Sequence, residues 1–361
     1  MREVSRRLLD IEPFRVVQVM ARARELEAQG RDIVHLEVGE PDLPTAPVIC
    51  EAGVRALVDG RTGYTPALGI LPLRERIADW YLHRHGVSID PCRIVITPGA
   101  SGALLLLSAL LVNPGDGVLM ADPGYPCNRH FIRMVEGETQ PITVTSAGRY
   151  QISPSALAEH WQANTVGLML ASPANPTGEI LSRAELEALW EVVERRRGFL
   201  IADEIYHGLT FGAAVPSMLE LSDEAFVVNS FSKYFGMTGW RLGWLVAPTR
   251  VIPDLERLAQ NLFISPSAPA QYAALACFES EAVAEFERRR LIFKRRRDFL
   301  LPELRALGFD SPHCPDGGFY LYAGISRFSA DSLQWSARLL EEHGVAVTPG
   351  ADFGHYRASQ H

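Results

Sequence analysis

Only five cysteines occur in the 361 residues: Cys50, Cys92, Cys127, Cys277 and Cys314. The number is odd and no Cys-x-x-C pair is present, so neither a disulfide framework nor a thiolate zinc site is indicated. His83 and His85 are near neighbours, but nothing adjacent supplies further ligands, and no metal is expected. Long apolar runs are also missing. The most apolar stretch, Ala103 to Val112, is too short to span a bilayer. Met1 to Arg7 is not backed by the apolar core of a signal peptide, so a cytoplasmic location is expected. There is no excess of positive charge: 35 Lys and Arg against 43 Asp and Glu give a net charge of −8. That balance argues against a nucleic-acid or anionic-membrane surface. The basic runs Arg288–Arg290 and Lys294–Arg297 are interleaved with apolar residues and glutamates, which reads as a solvated helix face. Internal repeats and low-complexity segments are absent.

What is present is ordinary globular material, 47% hydrophobic and 22% charged, in a chain long enough for two domains and a large core. Residues 14–29 read as an amphipathic helix closed by Gly30, and 33–38 as a strand leading into the turn Gly39-Glu40-Pro41-Asp42. Helices are expected over 46–58 and 70–85, separated by a loop with one exposed aromatic, Tyr64. Strands and helices then alternate. Ile94-Val95-Ile96, 117–121, 166–171 and 199–202 read as strands, each followed by a turn rich in Gly, Pro, Asn or Asp. A capping box, Ser182 with Glu185, opens the helix that stops at Gly198. Such alternation predicts a mostly parallel sheet covered on both faces, with ligands bound at the carboxyl ends of its strands. A long helical stretch over 268–307, broken near Ser280, leads out of the sheet. A strand at 318–323, a helix at 332–343 and a strand at 345–347 then suggest a smaller α+β unit completed by the N-terminal helix.

The chemistry concentrates in Ser230-Phe231-Ser232-Lys233-Tyr234-Phe235-Gly236-Met237-Thr238-Gly239-Trp240-Arg241. A lysine at the end of a buried strand is costly unless neutralised or used, and forming an imine with an aldehyde does both. Two serines and an arginine suit a dianionic phosphate. An aldehyde and a phosphate on one ring describe pyridoxal phosphate; the competing reading is a snorkelling lysine beside a structural arginine. Other strand-end loops suit the same ligand. The segment Gly99-Ala100-Ser101-Gly102 opens a helix whose free N–H groups favour a phosphate. Tyr125 suits stacking on a planar ring, and Asn175 a bond to a ring oxygen. Asp203 suits a partner for a pyridine nitrogen, which it would keep protonated, and Tyr206 a donor to the phenolic oxygen. Each has a plainer alternative, in packing, turn shaping or helix capping.

In order and spacing, Thr97-Pro98-Gly99-Ala100-Ser101-Gly102, Asn175-Pro176-Thr177-Gly178, Asp203-Glu204-Ile205-Tyr206 and Ser230 to Arg241 resemble the motifs of class I/II aminotransferases, fold type I pyridoxal-phosphate enzymes. The resemblance runs from Gly39 to Gly350. It implies an α/β fold, with a large domain at 45–284 and a smaller one made of 1–44 and 285–361. It implies transamination between an L-α-amino acid and a 2-oxo acid such as 2-oxoglutarate, with Lys233 as the internal-aldimine lysine and general base. By position it assigns the phosphate to Ala100, Ser101, Ser230 and Arg241, assisted by Ser232. It assigns the ring to Tyr125, Asp203, Asn175 and Tyr206, and the substrate carboxylate to Gly39 and Asn175. Tyr64 matches a tyrosine that reaches the neighbouring subunit's phosphate, which implies a homodimer. The Asn175–Pro176 bond is expected to be cis. One departure stands out. After Thr348-Pro349-Gly350 the family places a carboxylate-binding arginine on a strand, whereas here only His355 to His361 follows, with Arg357 in a loop. The expectation is a sequence that stops before that arginine. A lyase or decarboxylase of the same fold is the alternative activity, and a non-catalytic sensor domain a more distant one.

Overall fold

A computed structural model describes residues 4–212 and 214–361. In chain order the main elements are helix α1 (Arg15–Ala28), strand β1 (Val34–His35), α2 (Pro47–Val58), α3 (Leu71–His85), β2 (Ile94–Thr97), α4 (Gly99–Leu111), β3 (Gly117–Asp122), α5 (Pro126–Met134), β4 (Glu138–Thr143), α6 (Pro154–His160), β5 (Thr165–Ala171), α7 (Arg183–Arg195), β6 (Phe199–Asp203), β7 (Phe226–Ser230), β8 (Gly243–Val246), α8 (Ile252–Leu262), α9 (Ala268–Ala274), α10 (Ser280–Leu307), α11 (Ser332–His343) and β9 (Val345–Ala346).

Seven strands form one sheet in the order β2-β8-β7-β6-β5-β3-β4. All are parallel except β8, which pairs antiparallel with both β2 and β7. The strands are short and almost wholly apolar because helices cover both faces: Ile94–Thr97 and Phe226–Ser230 are buried at every residue. Two apolar clusters result. One, on Leu73, Ile77, Phe231, Phe235 and Trp244, lies beneath α2, α3 and α9; the other, on Leu104, Leu107, Val118 and Leu255, lies beneath α4 and α8. Helix α7 starts as expected: Ser182 Oγ accepts from the Glu185 amide (3.3 Å) and the Glu185 carboxylate accepts from the Ser182 amide (2.7 Å).

The smaller unit is thinner than the sequence suggests. β1 and β9 form a two-stranded parallel pair, Val34 opposite Val345, over a cluster of Ala23, Leu26, Ile33, Leu340 and Ala346. The strand expected over 33–38 pairs only at Val34–His35, because its neighbour β9 is itself two residues long. The strand expected at 318–323 does not form. Gly318 has φ +70°, and only single bridges, Thr210 to Gly317 and Asp310 to Gly324, flank the segment. Tyr320 instead lines the large sheet's cavity, with Phe319 packed on Tyr206 beside it. The edge strand β4 carries Pro141 and no continuous apolar run, so periodicity does not announce it; a missing N–H is tolerated at an edge. The break near Ser280 is real: a 3₁₀ turn, Leu275–Phe278, separates α9 from α10. Among the described residues, no helix is long and apolar enough to cross a membrane.

Candidate active site

Because β8 runs opposite to its neighbours, the carboxyl ends of β2, β3, β5, β6 and β7 share one edge of the sheet with the start of β8. The loops there enclose a cavity of about 420 Å³. Every site residue read from the sequence lines it, with the exception of Tyr64.

At the end of β2 the chain enters α4 directly. The first amides of a helix lack internal partners and carry the positive end of its dipole, and here Ala100 and Ser101 present them to the cavity. Gly99 makes the approach possible. Its φ is +70°, and a Cβ on it would lie 2.6 Å from Arg241 Nη2. The Arg241 guanidinium donates to the Thr238 carbonyl (3.1 Å) and has no carboxylate partner among the described residues. The buried Ser230 Oγ donates to the Leu242 carbonyl (3.3 Å) and accepts from the Ser232 amide (3.1 Å), fixing the turn that carries Lys233.

Asp203 ends β6 and is 5% exposed. One oxygen accepts from the Ile205 amide (3.1 Å), and among the described residues no arginine or lysine pairs with it directly. Burial raises its carboxyl to about 6, although that amide and Lys233 pull the other way. The Asn175 Oδ1 is buried without a partner, beside a cis Asn175–Pro176 bond. Tyr125 caps α5, with its ring edge-on to Phe14 at 6.3 Å. Lys233 Nζ donates to the Gly39 carbonyl and lies 5.9 Å and 5.7 Å from the ring centres of Tyr206 and Phe319. Desolvation lowers its amine to about 8; nearby Arg241 adds to this, while Glu40 and Asp203 oppose it.

Other residues fall elsewhere. Tyr64 is 85% exposed and outside the cavity. Arg357 is exposed, lies over the Tyr356 ring at 5.6 Å, and lines neither this cavity nor a larger one of about 690 Å³ that shares Tyr125, Asn175 and Phe353 with it. That larger space lacks Lys233 and Asp203, and its Arg129 and Arg133 already face Glu12 and Asp10. Among the described residues no group of His, Cys, Asp and Glu is placed to hold a metal ion.

Two residues escaped the sequence reading. Glu204, next to Asp203, is buried. Ser217 Oγ and the Met218 amide donate to its carboxylate (2.7–3.0 Å), tying down the turn after β6, and burial raises its carboxyl to about 8. Tyr320 lies in the segment read as a strand, and its hydroxyl meets that of Tyr206 at 2.7 Å. No local pattern signals either contact. The only hint for Glu204 is a second acid directly after the strand-end Asp203.

Comparisons with known proteins agree with this geometry. The family model for aminotransferase class I and II matches residues 31–360. A valine–pyruvate aminotransferase of Mycobacterium tuberculosis is 39% identical over 345 residues, covering 95% of this chain and 89% of the relative. An aspartate/prephenate aminotransferase of Thermus thermophilus is 36% identical over 365 residues, covering 99% and 94%. The crystal structure of an aminotransferase from M. tuberculosis superposes with a TM-score of 0.96 at 38% identity, covering 100% of this chain and 93% of that one. The chain therefore belongs to the class I and II aminotransferases, pyridoxal-phosphate-dependent enzymes that catalyse transamination.

Proposed function

We propose that the strand-end cavity is the transamination site, with Lys233 as the lysine that carries the cofactor and moves the substrate proton. The observation that carries this reading is the convergence of five strand-end loops on one cavity with Lys233, each presenting a group to it. The α4 amides and Arg241 suit a phosphate, with Ser230 and Ser232 beside them. The uncompensated Asp203 carboxylate suits a protonated ring nitrogen. Tyr206 and the Asn175 side-chain NH2 suit donation to a ring oxygen, and Tyr125 the ring face. When bound, pyridoxal phosphate supplies an aldehyde that condenses with amines and a ring that accepts an electron pair. The protein supplies the rest. Asp203 holds the proton on the ring nitrogen. The Lys233 amine, already easier to deprotonate than a free lysine, takes the proton from the substrate Cα and returns it on the other side of the reaction. Gly39 and Asn175, which line the cavity with Lys233, are proposed to receive the substrate carboxylate.

The amino donor is proposed to carry an apolar side chain, since Phe14, Val17, Met20 and Val38 line the cavity. The proposed acceptor is 2-oxoglutarate, with pyruvate, named for the mycobacterial relative, as the second reading. Valine, alanine, phenylalanine and aspartate assayed against each acceptor test this; preference for aspartate would overturn the donor assignment.

Arg241 and Gly99 give a second test. Gly99→Ala places a methyl group against the guanidinium at a φ unfavourable to L-residues. Affinity for pyridoxal phosphate, followed by absorbance, is expected to fall about 10- to 100-fold, the worth of a charge-assisted hydrogen bond. Unchanged affinity would remove Arg241 from the phosphate site.

A homodimer is proposed as the working assembly. Tyr64 is too exposed to serve its own cavity, and Val54, Leu57 and Val58 on the adjoining helix α2 are exposed apolar residues that a second copy would cover. The same reading assigns 45–284 to a large domain and 1–44 with 285–361 to a smaller one, a division supported by the β1–β9 pair. A cytoplasmic location fits the five free cysteines.

A further inference from the structure

Tyr320 is a polar residue of the cavity that the roles above leave unused. Its hydroxyl lies 2.7 Å from that of Tyr206, and the two rings pack edge to face at 5.6 Å. The position is built from two sides. Phe319 packs on Tyr320 at 4.8 Å, and Gly39, lacking a Cβ, makes room: a Cβ there would lie 2.1 Å from the Tyr320 oxygen. The charged and titratable groups facing the pair are Lys233, Asp203 and Tyr125. None of them hydrogen-bonds either hydroxyl, so each tyrosine has the other as its side-chain partner among the described residues.

A phenol has one proton to give. If Tyr206 spends its proton on the ring oxygen of the cofactor, the bond to Tyr320 must run the other way, with Tyr320 donating to Tyr206. We propose that Tyr320 is a positioning residue: it donates to the Tyr206 oxygen, fixes the direction of the Tyr206 proton towards the cofactor's ring oxygen, and strengthens that donation. The inference rests on the role given to Tyr206 above. A hydroxyl that accepts one hydrogen bond gives a stronger one, because the two polarise each other. Stronger donation favours the anionic form of the ring oxygen and so makes the neighbouring imine nitrogen easier to deprotonate. Tyr320 thus acts on the protonation of the lysine-bound cofactor without touching it.

The test is the pH midpoint of the absorbance change of the lysine-bound cofactor, measured without substrate on the holoenzyme. Tyr206→Phe is expected to raise the midpoint by about one pH unit, the loss of one net hydrogen bond. Tyr320→Phe, which keeps the ring and its packing, is expected to raise it by a few tenths of a unit. The double variant is expected to match Tyr206→Phe alone, since Tyr320 acts through Tyr206. A midpoint unmoved by Tyr320→Phe, while Tyr206→Phe moves it, overturns the inference. An equal Tyr320→Phe shift in the Tyr206→Phe background also overturns it. A midpoint unmoved by Tyr206→Phe itself overturns the earlier role of Tyr206 and this inference with it.

Discussion

Replacing Lys233 with alanine is expected to lower turnover by about four orders of magnitude or more and to abolish the absorbance of the lysine-bound cofactor. A positioned general base alone contributes about 10²- to 10⁴-fold, and in the proposed function this lysine also provides the covalent attachment. The loss should not come from misfolding. The Lys233 side chain makes one hydrogen bond, to the Gly39 carbonyl, and its charged form is disfavoured by burial. The sign of the pH effect follows. The folded-state pKa, about 8, lies below the ordinary 10.5. The unfolded chain therefore binds more protons between those values, and stability rises with pH across that window. Below about pH 8 the full cost of burying the charged amine is present. Apo-protein of the wild type should thus gain stability between pH 8 and 10.5 relative to Lys233→Ala, in paired urea denaturations. Normal transamination by the variant would sink the assignment of Lys233.

How much of this was legible beforehand depends on how far apart the cooperating residues lie. The segment Ser230 to Arg241 holds a lysine, two serines and an arginine within one turn, so its chemistry could be read from the chain. The strand-end positions of Ala100, Tyr125, Asn175 and Asp203 were legible for a related reason. Each follows an apolar run and sits in a turn, and a parallel sheet gathers such turns at one edge. The contact of Tyr320 with Tyr206 was not legible, because 114 residues separate them and the hydroxyl pair exists only once the segment after α10 folds back on the large sheet. The same fold-back explains the misread strand at 318–323. The apolar and aromatic run there reads as a strand, but the adjacent Phe319 and Tyr320 both pack on Tyr206. Tyr64 marks the opposite limit. Its side chain is legible as exposed, but the use proposed for it depends on a second chain.

Asp203→Ala is expected to cut turnover by about 10²- to 10³-fold while making the apo-protein more stable at neutral pH. The first effect is electrostatic. In the proposed role, a buried carboxylate would face a protonated ring nitrogen where water cannot screen it, and removing one such preorganised partner costs roughly 3–4 kcal/mol of transition-state stabilisation. The second follows from the raised carboxyl of Asp203, about 6 against an ordinary 3.8. Between these values the folded apo-protein binds more protons than the unfolded chain, so its stability falls as pH rises from about 4 to 6, and the deficit persists above pH 6. Removing the carboxylate removes that deficit, on the order of a few kcal/mol. Thermal denaturation of apo-protein at pH 5 and pH 8 checks the sign: the advantage of the variant should be larger at pH 8. Asp203→Asn separates charge from shape. Its side-chain oxygen can still accept from the Ile205 amide, yet it carries no charge, so its turnover should fall nearly as far. Loss of Asp203 also removes one of the two carboxylates that raise the Lys233 amine, so that amine should titrate lower in either variant. The stability deficit of Asp203 and its catalytic value thus have one physical source, a negative charge held in a dry site for a cationic ring. An Asp203→Asn enzyme with wild-type turnover would show that the site works through shape alone.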